Sequence, residues 1–311
     1  MFQQTFRNQN QPLFYPINIV ISIYLWDQFM QTSARNPLSG YFRQPAIFLT
    51  LPSKGRWWEP DSLELSENGD IAVYPMSAKD EITIRTPDAL LNGQGVVNVI
   101  QSCCPNIKNA WKMPSVDIDA VLISIRIATY GSNMSFDSTC PHCKAANTHE
   151  IDLGAPLTSI KCPNFDQTVK YRDLVIKLRP QHYFEANRIN MIGYEEQKIL
   201  ATLSNESLDD ETRIAQVTII MQKIVEIGIE GCVNSTEYIQ LPNGDRIINK
   251  DHLNEFYHNA EKTVVASVQE AVGAIAAESK IPEIQLSCDE CSSTYSAELT
   301  FDYSNFFAKG S

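Results

Sequence analysis

No stretch of the 311-residue sequence reaches the roughly 18 to 20 consecutive apolar residues that a membrane-spanning helix needs. The nearest run, Ile17 to Trp26, is interrupted by Asn18 and Ser22 and closed by Asp27, so it reads as a β-strand or docking arm. Arg7 alone precedes it as a basic residue, and no small-residue cleavage site follows, which argues against a signal peptide and for a cytoplasmic chain without membrane contact. Basic residues are also short: 25 Lys and Arg face 37 Asp and Glu, giving a net charge of −12. A nucleic-acid coat draws most of its affinity from cations that neutralise phosphates, so nucleic acid is not an expected partner.

Catalytic signatures are missing too. The sequence has no Gly-Lys-Ser or Gly-Lys-Thr phosphate loop, no Gly-X-Gly-X-X-Gly, no His-Glu-X-X-His and no Gly-X-Ser-X-Gly. Its five histidines, 142, 149, 182, 252 and 258, form no i, i+4 ligand pair. The acidic pairs Asp80-Glu81, Glu195-Glu196 and Asp209-Asp210 fall at helix starts or on polar helix faces, where the helix dipole or solvation accounts for them. No catalytic residue is assigned and the chain is expected not to be an enzyme. Internal repeats and sustained heptads are likewise absent.

What remains is an ordinary globular composition, 43% apolar and 20% charged, with length for roughly two domains. The acidity is uneven: the balance is −3 up to residue 154 and −9 from Ala155 onward. Residues 1–45 are rich in Gln and Asn and punctuated by Pro12, Pro16, Pro37, Gly40 and Pro45, as in an extended arm. Such an arm docks on a neighbouring subunit or packs on its own core; Tyr15, Tyr24 and Trp26 are its candidate interface residues.

From residue 46 to 133 the pattern is mixed. Ile47, Leu49 and Leu51 alternate, and Ile71, Val73 and Tyr74 form a second extended run after Asn68-Gly69. Short helices follow, signalled by Ser77 three residues before Asp80, by a Thr86-Pro87-Asp88 cap and by an Asn92-Gly93 stop. Ile118, Val121, Leu122, Ile125 and Ala128 place one apolar stripe on a helix over 115–130, with a serine cap before it and Gly131 as terminator. Residues 155–282 read as more helical. A strand at 174–178 leads to a helix through Phe184, Ile189 and Leu203, then to a second with Ile214, Val217, Ile220, Met221, Ile224 and Val225 on one stripe after a Ser207/Asp210 cap. A turn at 241–245 precedes a long amphipathic helix over 251–279.

The eight cysteines carry the sharpest signal. Cys140-Pro141-His142-Cys143 and Cys288-Asp289-Glu290-Cys291 share the Cys-X-X-Cys spacing at which a tight knuckle presents two thiolates to one tetrahedral metal, and each lies between strand-like runs. This is a zinc-ribbon pattern, but the pairs are far beyond the roughly 15 to 20 residues of a compact four-cysteine finger. If they meet, 155–282 is a large helical insertion looped out of a ribbon built from 134–154 and 283–303, and 304–311 is a tail. Loop-closure cost grows only logarithmically with length, so the insertion is tolerable. Four thiolates with no open position make a structural zinc site; iron suits the same ligands, and His142 and His149 are possible substitutes. A redox thiol pair and unligated cysteines are the alternatives. Cys103, Cys104, Cys162 and Cys232 read as small apolar residues, the adjacent pair being unable to face one core while both lie on a helix. The fold class expected is therefore α+β: a mixed N-terminal subdomain and a zinc-ribbon-like β unit with a large helical insertion.

Trp57 and Trp58 lie in a Gly-containing turn, Leu51 to Pro60, that gathers two large rings with Lys54 and Arg56. Such groups anchor interfaces, because aromatic burial supplies contact area at low entropy cost. The competing reading is a plug over a sheet edge.

In order along the chain come Leu51-Pro-Ser-Lys-Gly55, Tyr74-Pro-Met-Ser-Ala-Lys-Asp-Glu81, Leu90-Leu-Asn-Gly93, Ile100-Gln-Ser-Cys103, Asp119, the run Leu122 to Gly131 and Cys140-Pro-His-Cys143. This succession resembles the baseplate hub and hub-assembly proteins of T-even-type contractile-tailed bacteriophages, well over 47–153 and more weakly through Lys177-Leu-Arg-Pro180 and the second knuckle to Asn305-Phe-Phe307. The resemblance implies a non-enzymatic part of the tail baseplate, resident in the virion or acting during assembly in the bacterial cytoplasm. Its implied partners are other baseplate proteins or copies of itself. The arm lies outside the resemblance.

Overall fold

The computed structural model describes residues 36–85, 93–203, 210–278, 281–299 and 306–307, with the side chains of 195–213 and 216 outside that description. Most of the arm, including Tyr15, Tyr24 and Trp26, therefore lies outside the described residues, as do the Thr86-Pro87-Asp88 and Ser207 caps. The chain divides into two units, Met1–Arg43 and Gln44–Ser311. Of the first, a 3-10 turn at Ser39–Tyr41 is described. All that follows concerns the second, which is α+β with small sheets.

The alternating run at 47–51 forms β1 (Ile47–Thr50), paired antiparallel with β2 (Asp70–Val73) so that Leu49 opposes Ile71. Helix α1 (Ala78–Ile84) starts at a complete capping box: the Asp80 N–H donates to the Ser77 hydroxyl, and the Asp80 carboxylate accepts the Ser77 N–H. Two of the orphan N–H groups at the helix start are thereby satisfied. Gly93, with φ of +74°, is the N-cap of α2 (Gln94–Cys103), a backbone conformation that a Cβ would strain.

Helix α3 (Ser115–Tyr130) corrects two expectations. Its N-cap is Pro114 rather than a serine, and it is buried on every face, because β1, β2, α2 and later helices pack around it. Asp117, Ile123, Ser124 and Arg126 are as buried as the stripe residues Val121, Leu122 and Ile125. Cys103 and Cys104 are both fully buried in the same core. That is possible because the helix ends at Cys103, and Cys104 leaves it at φ −123°, ψ 80°.

Next come the hairpin β3 (Asn133–Thr139) and β4 (Ala146–Asp152), then α4 (Gly154–Ser159). Residues 155–282 hold their helices around a four-stranded antiparallel sheet, ordered β5 (Thr168–Tyr171), β6 (Leu174–Leu178), β7 (Thr236–Gln240) and β8 (Arg246–Ile247). Helices α5 (Tyr183–Leu203) and α6 (Asp210–Ser235) lie between β6 and β7 in the chain. The expected long helix is two: α7 (Lys250–Asn259), capped by the Asn249 side chain on the N–H groups of Asp251 and His252, and α8 (Lys262–Glu278). Ala260, extended at ψ 158°, separates them and lets Tyr257 and Val264 both enter the second core. Hairpin β9 (Ile284–Ser287) and β10 (Thr294–Ala297) follows.

Among the described residues the buried hydrophobic side chains collect in three cores. The first surrounds α3 and receives Tyr183, Leu299, Phe306 and Phe307 from distant parts of the chain. The second lies between the four-stranded sheet and helices α6, α7 and α8. The third is small: Cys140, Cys288, Leu286 and Tyr295, flanked by Phe136 and Ile284. Each large side chain buried in the first two contributes about 1.5–3 kcal/mol. The third has too few for that, and its polar and sulfur contacts matter correspondingly more.

Candidate metal centre

The two Cys-X-X-Cys knuckles close their hairpins in the same way. The N–H of Cys140 donates to the Ala145 carbonyl at 2.9 Å, and the N–H of Lys144 returns to the Cys140 carbonyl at 2.9 Å. In the other knuckle the N–H of Cys288 donates to the Ser293 carbonyl at 3.0 Å, and that of Ser292 to the Cys288 carbonyl at 2.9 Å. Lys144 and Ser292, at matching positions, both take the left-handed conformation that reverses the chain, with φ of 63° and 56°.

The matched turns aim four thiols at one point. Their Sγ atoms all lie within 4.8 Å of one another, with Cys143 to Cys288 at 3.5 Å and Cys140 to Cys291 at 3.8 Å. A disulfide would hold sulfurs about 2.05 Å apart. A tetrahedron of thiolates at about 2.3 Å from a central zinc has edges near 3.8 Å. The spacing therefore fits four ligands around an ion. Among the described residues this is the only group of three or more Cys, His, Asp or Glu side chains whose ligand atoms converge in this way. Cys140 and Cys288 are buried and Cys143 and Cys291 are exposed, so each knuckle contributes one inner and one outer sulfur.

The thiols differ in acidity. The hydroxyl and backbone N–H of Ser293 lower Cys291 to about 6. Cys143 accepts from the Ala145 N–H, which pulls it down, but its thiol hydrogen bonds with Cys288, Cys291 and Cys140 outweigh this and lift it to about 12. Cys288 is lowered as well, chiefly by the backbone N–H of Cys291 and also by that of Glu290, and a bound cation displaces the protons that remain on the four sulfurs.

The sequence reading did not find the groups that clamp the hairpins together. The Asn147 side chain is buried, donates to the Ala145 carbonyl at 3.0 Å within its own knuckle, and accepts the N–H of Asp289 in the other at 2.9 Å. Tyr295 reaches back from β10, its hydroxyl 2.6 Å from the Ser138 hydroxyl and 3.2 Å from His149 Nε2. His149 is thereby engaged away from the sulfurs, and His142 is exposed on the first knuckle. Only the alternation of β4 and β10 hinted at these contacts, by placing Asn147 and Tyr295 on inward positions.

The tryptophan turn packs into the chain itself. Trp58 is half-buried and its Nε1 donates to the Asp117 carboxylate at 2.9 Å, which also accepts the Ser53 N–H at 2.8 Å and the Ser53 hydroxyl at 2.5 Å. Trp57 lies edge-on to Phe165 at 5.0 Å under the Arg56 guanidinium, and its carbonyl accepts from His182 Nε2 at 2.9 Å. That carbonyl can only accept, so Nε2 carries the proton and Nδ1 is left to accept from Arg179 Nη1 at 3.4 Å. Arg179 in turn forks onto Glu185 at 2.8 and 3.0 Å, and the His182 N–H reaches the same carboxylate at 2.9 Å. This polar cluster ties the turn to the start of α5.

A mixed α+β scaffold closed by a four-cysteine, zinc-ribbon-like knuckle pair is the class that fold and site define. Residues 47–308 match the family model described as T4 bacteriophage base plate protein, and the chain belongs to that family. The family supports a structural role in the phage tail baseplate, alongside other baseplate proteins. No curated protein and no solved structure matches the chain. No helix among the described residues is long and apolar enough to cross a membrane.

Proposed function

We propose that the protein is a non-enzymatic subunit of the hub or wedge region of the baseplate, built into the particle or acting while it assembles. In this reading one zinc ion, held by Cys140, Cys143, Cys288 and Cys291, staples a ribbon of 134–154 and 283–303 across the inserted segment 155–282. The single observation that carries it is the convergence of four sulfurs from knuckles 145 residues apart. The zinc supplies cross-linking and no chemistry, since four protein ligands leave no position for water or substrate. The staple fixes how the insertion is carried by the first core, which is what a subunit that presents fixed faces to several neighbours needs. The arm, residues 1–45, is the segment proposed to dock on a neighbour.

A quantitative mass-spectrometric inventory of purified virions, scaled to other tail proteins, tests the reading. Presence in fixed stoichiometry makes the chain a resident subunit. Absence from particles but abundance in infected cells makes it an assembly factor that departs. Absence from both particles and assembly intermediates would contradict the proposal.

A further inference from the structure

The four convergent sulfurs form two contacts across the knuckles, and each contact has the same make-up. Cys143, exposed, lies 3.5 Å from Cys288, buried; Cys291, exposed, lies 3.8 Å from Cys140, buried. An exposed sulfur is open to a small oxidant, and a buried one beside it is placed to resolve the adduct that forms. The hairpins also stay paired without an ion, because the Asn147 side chain holds the Asp289 N–H at 2.9 Å and the Tyr295 hydroxyl lies 2.6 Å from that of Ser138.

Pairing inside one knuckle is less favoured. Cys288 accepts from the N–H groups of Cys291 and Glu290, and Cys291 from that of Ser293. Bonding Cys288 to Cys291 would draw both sulfurs off these donors and close a small ring over a turn that already needs the left-handed Ser292. Bonding across the gap lets both turns keep their shape while the sulfurs close from 3.5 and 3.8 Å to about 2.05 Å. Stabilisation by a cross-link also grows with the loop it closes, so links spanning 145 and 151 residues restrict the unfolded chain far more than one within a Cys-X-X-Cys.

We propose that the four-cysteine site has a second, covalent state, in which the ion-free chain forms the cross-knuckle disulfides Cys143–Cys288 and Cys140–Cys291 and so keeps its staple when the metal is lost. The oxidant is a small-molecule disulfide such as oxidised glutathione. The Cys143 thiolate attacks one of its sulfurs, breaks the S–S bond and releases one glutathione thiolate; Cys288 then attacks Cys143 in the mixed disulfide and releases the second. The pair gives up two electrons and two protons, and one small disulfide becomes two thiols. Cys291 and Cys140 repeat the exchange with a second molecule. Virion surfaces are among the places where disulfides persist, so the covalent state belongs to a released particle. That setting rests on the resident reading above; the pairing itself rests on the sulfur geometry alone.

The test uses the full chain, its metal content measured first. It is stripped with a strong chelator, checked by circular dichroism to be folded, and exposed below its melting temperature to oxidised glutathione. Thiols counted in denaturant should fall from eight to four per chain. Mass spectrometry of unreduced digests should join the peptide holding Cys140 and Cys143 to that holding Cys288 and Cys291, with fragmentation between the cysteines assigning the partners. The oxidised chain should also run faster on a non-reducing gel, since a long internal loop compacts the denatured chain. Cys103, Cys104 and Cys232, buried in the first two cores, serve as internal controls. Glutathione adducts that never resolve, main pairs inside the knuckles, or eight thiols still free would overturn the inference. A chain that never held metal but pairs its sulfurs across the knuckles would sink the zinc staple and leave this inference standing; a zinc-bearing chain whose stripped form does not pair would do the reverse.

Discussion

The side-chain carbonyl of Asn147 accepts the backbone N–H of Asp289, 142 residues further on, at 2.9 Å, joining the first hairpin to the second knuckle by a bond that involves no sulfur. Because Asn147 is buried and also holds the Ala145 carbonyl, it fixes where the second knuckle sits before any ion arrives.

Replacing Asn147 by alanine leaves the Asp289 N–H without its partner, at a cost of about 1–3 kcal/mol. Groups that orient metal ligands are typically worth about 10–100-fold in affinity. Titration against a chromophoric chelator should show a loss of that size in N147A, with one ion still bound per chain.

Asp117 is fully buried and takes three hydrogen bonds, from the Ser53 N–H, the Ser53 hydroxyl and Trp58 Nε1. Asp117→Ala strands the backbone and indole donors, and urea unfolding should show a loss of about 2–4 kcal/mol from two unpaired groups. Trp58 fluorescence should shift with it, since the indole loses its carboxylate partner.

The His182 and Glu185 cluster makes stability sensitive to acid in two windows. Burial holds His182 below its ordinary value of 6.5, so the folded chain keeps it neutral while the unfolded chain protonates it; stability falls as pH drops below about 6.5. For Glu185, burial raises the carboxyl, but the Arg179 charge, the Lys250 bond and the His182 N–H outweigh burial and hold it below 4.5. Its contribution is complete above pH 4.5 and is lost as pH falls through the lowered folded value. Thermal melts from pH 8 to 3 should show both losses in the native chain. The first should be absent in His182→Gln and the second in Glu185→Gln.

Phe307 is fully buried in the first core and, with Phe306, packs edge-on at 5.0 Å. Phe307→Ala should cost about 3–5 kcal/mol in chemical denaturation, as for other buried phenylalanines. A loss below 1 kcal/mol would show that the C-terminal residues are not part of that core.

How far the sequence discloses this molecule depends on the range of the interaction. Local signals are legible: Ser77 and Asp80 form the capping box their spacing predicts, β6 follows the alternation of Leu174, Ile176 and Leu178, and Gly131 ends α3. The cysteine spacing discloses each knuckle, because a two-thiol turn is itself local. Long-range pairing is hidden. Nothing near Asn147 in sequence points to Asp289, and the break at Ala260 carries no Gly or Pro to signal it. A periodic stripe also cannot say whether it is covered: Val121 and Met221 obey the same rule, yet one is fully buried and the other is more than half exposed on α6. Asp117 and Arg126 interrupt the apolar pattern of α3, which hides the fact that the helix is buried all round.

The most direct test of the metal staple is elemental analysis of the purified full chain, paired with thermal unfolding before and after chelation. The account predicts one zinc per chain, a melting temperature that falls on removal and recovers on adding zinc back, and loss of the ion in Cys140→Ser and Cys288→Ser. A chain that carries no metal in stoichiometric amount, or whose melting temperature ignores a strong chelator, would contradict it.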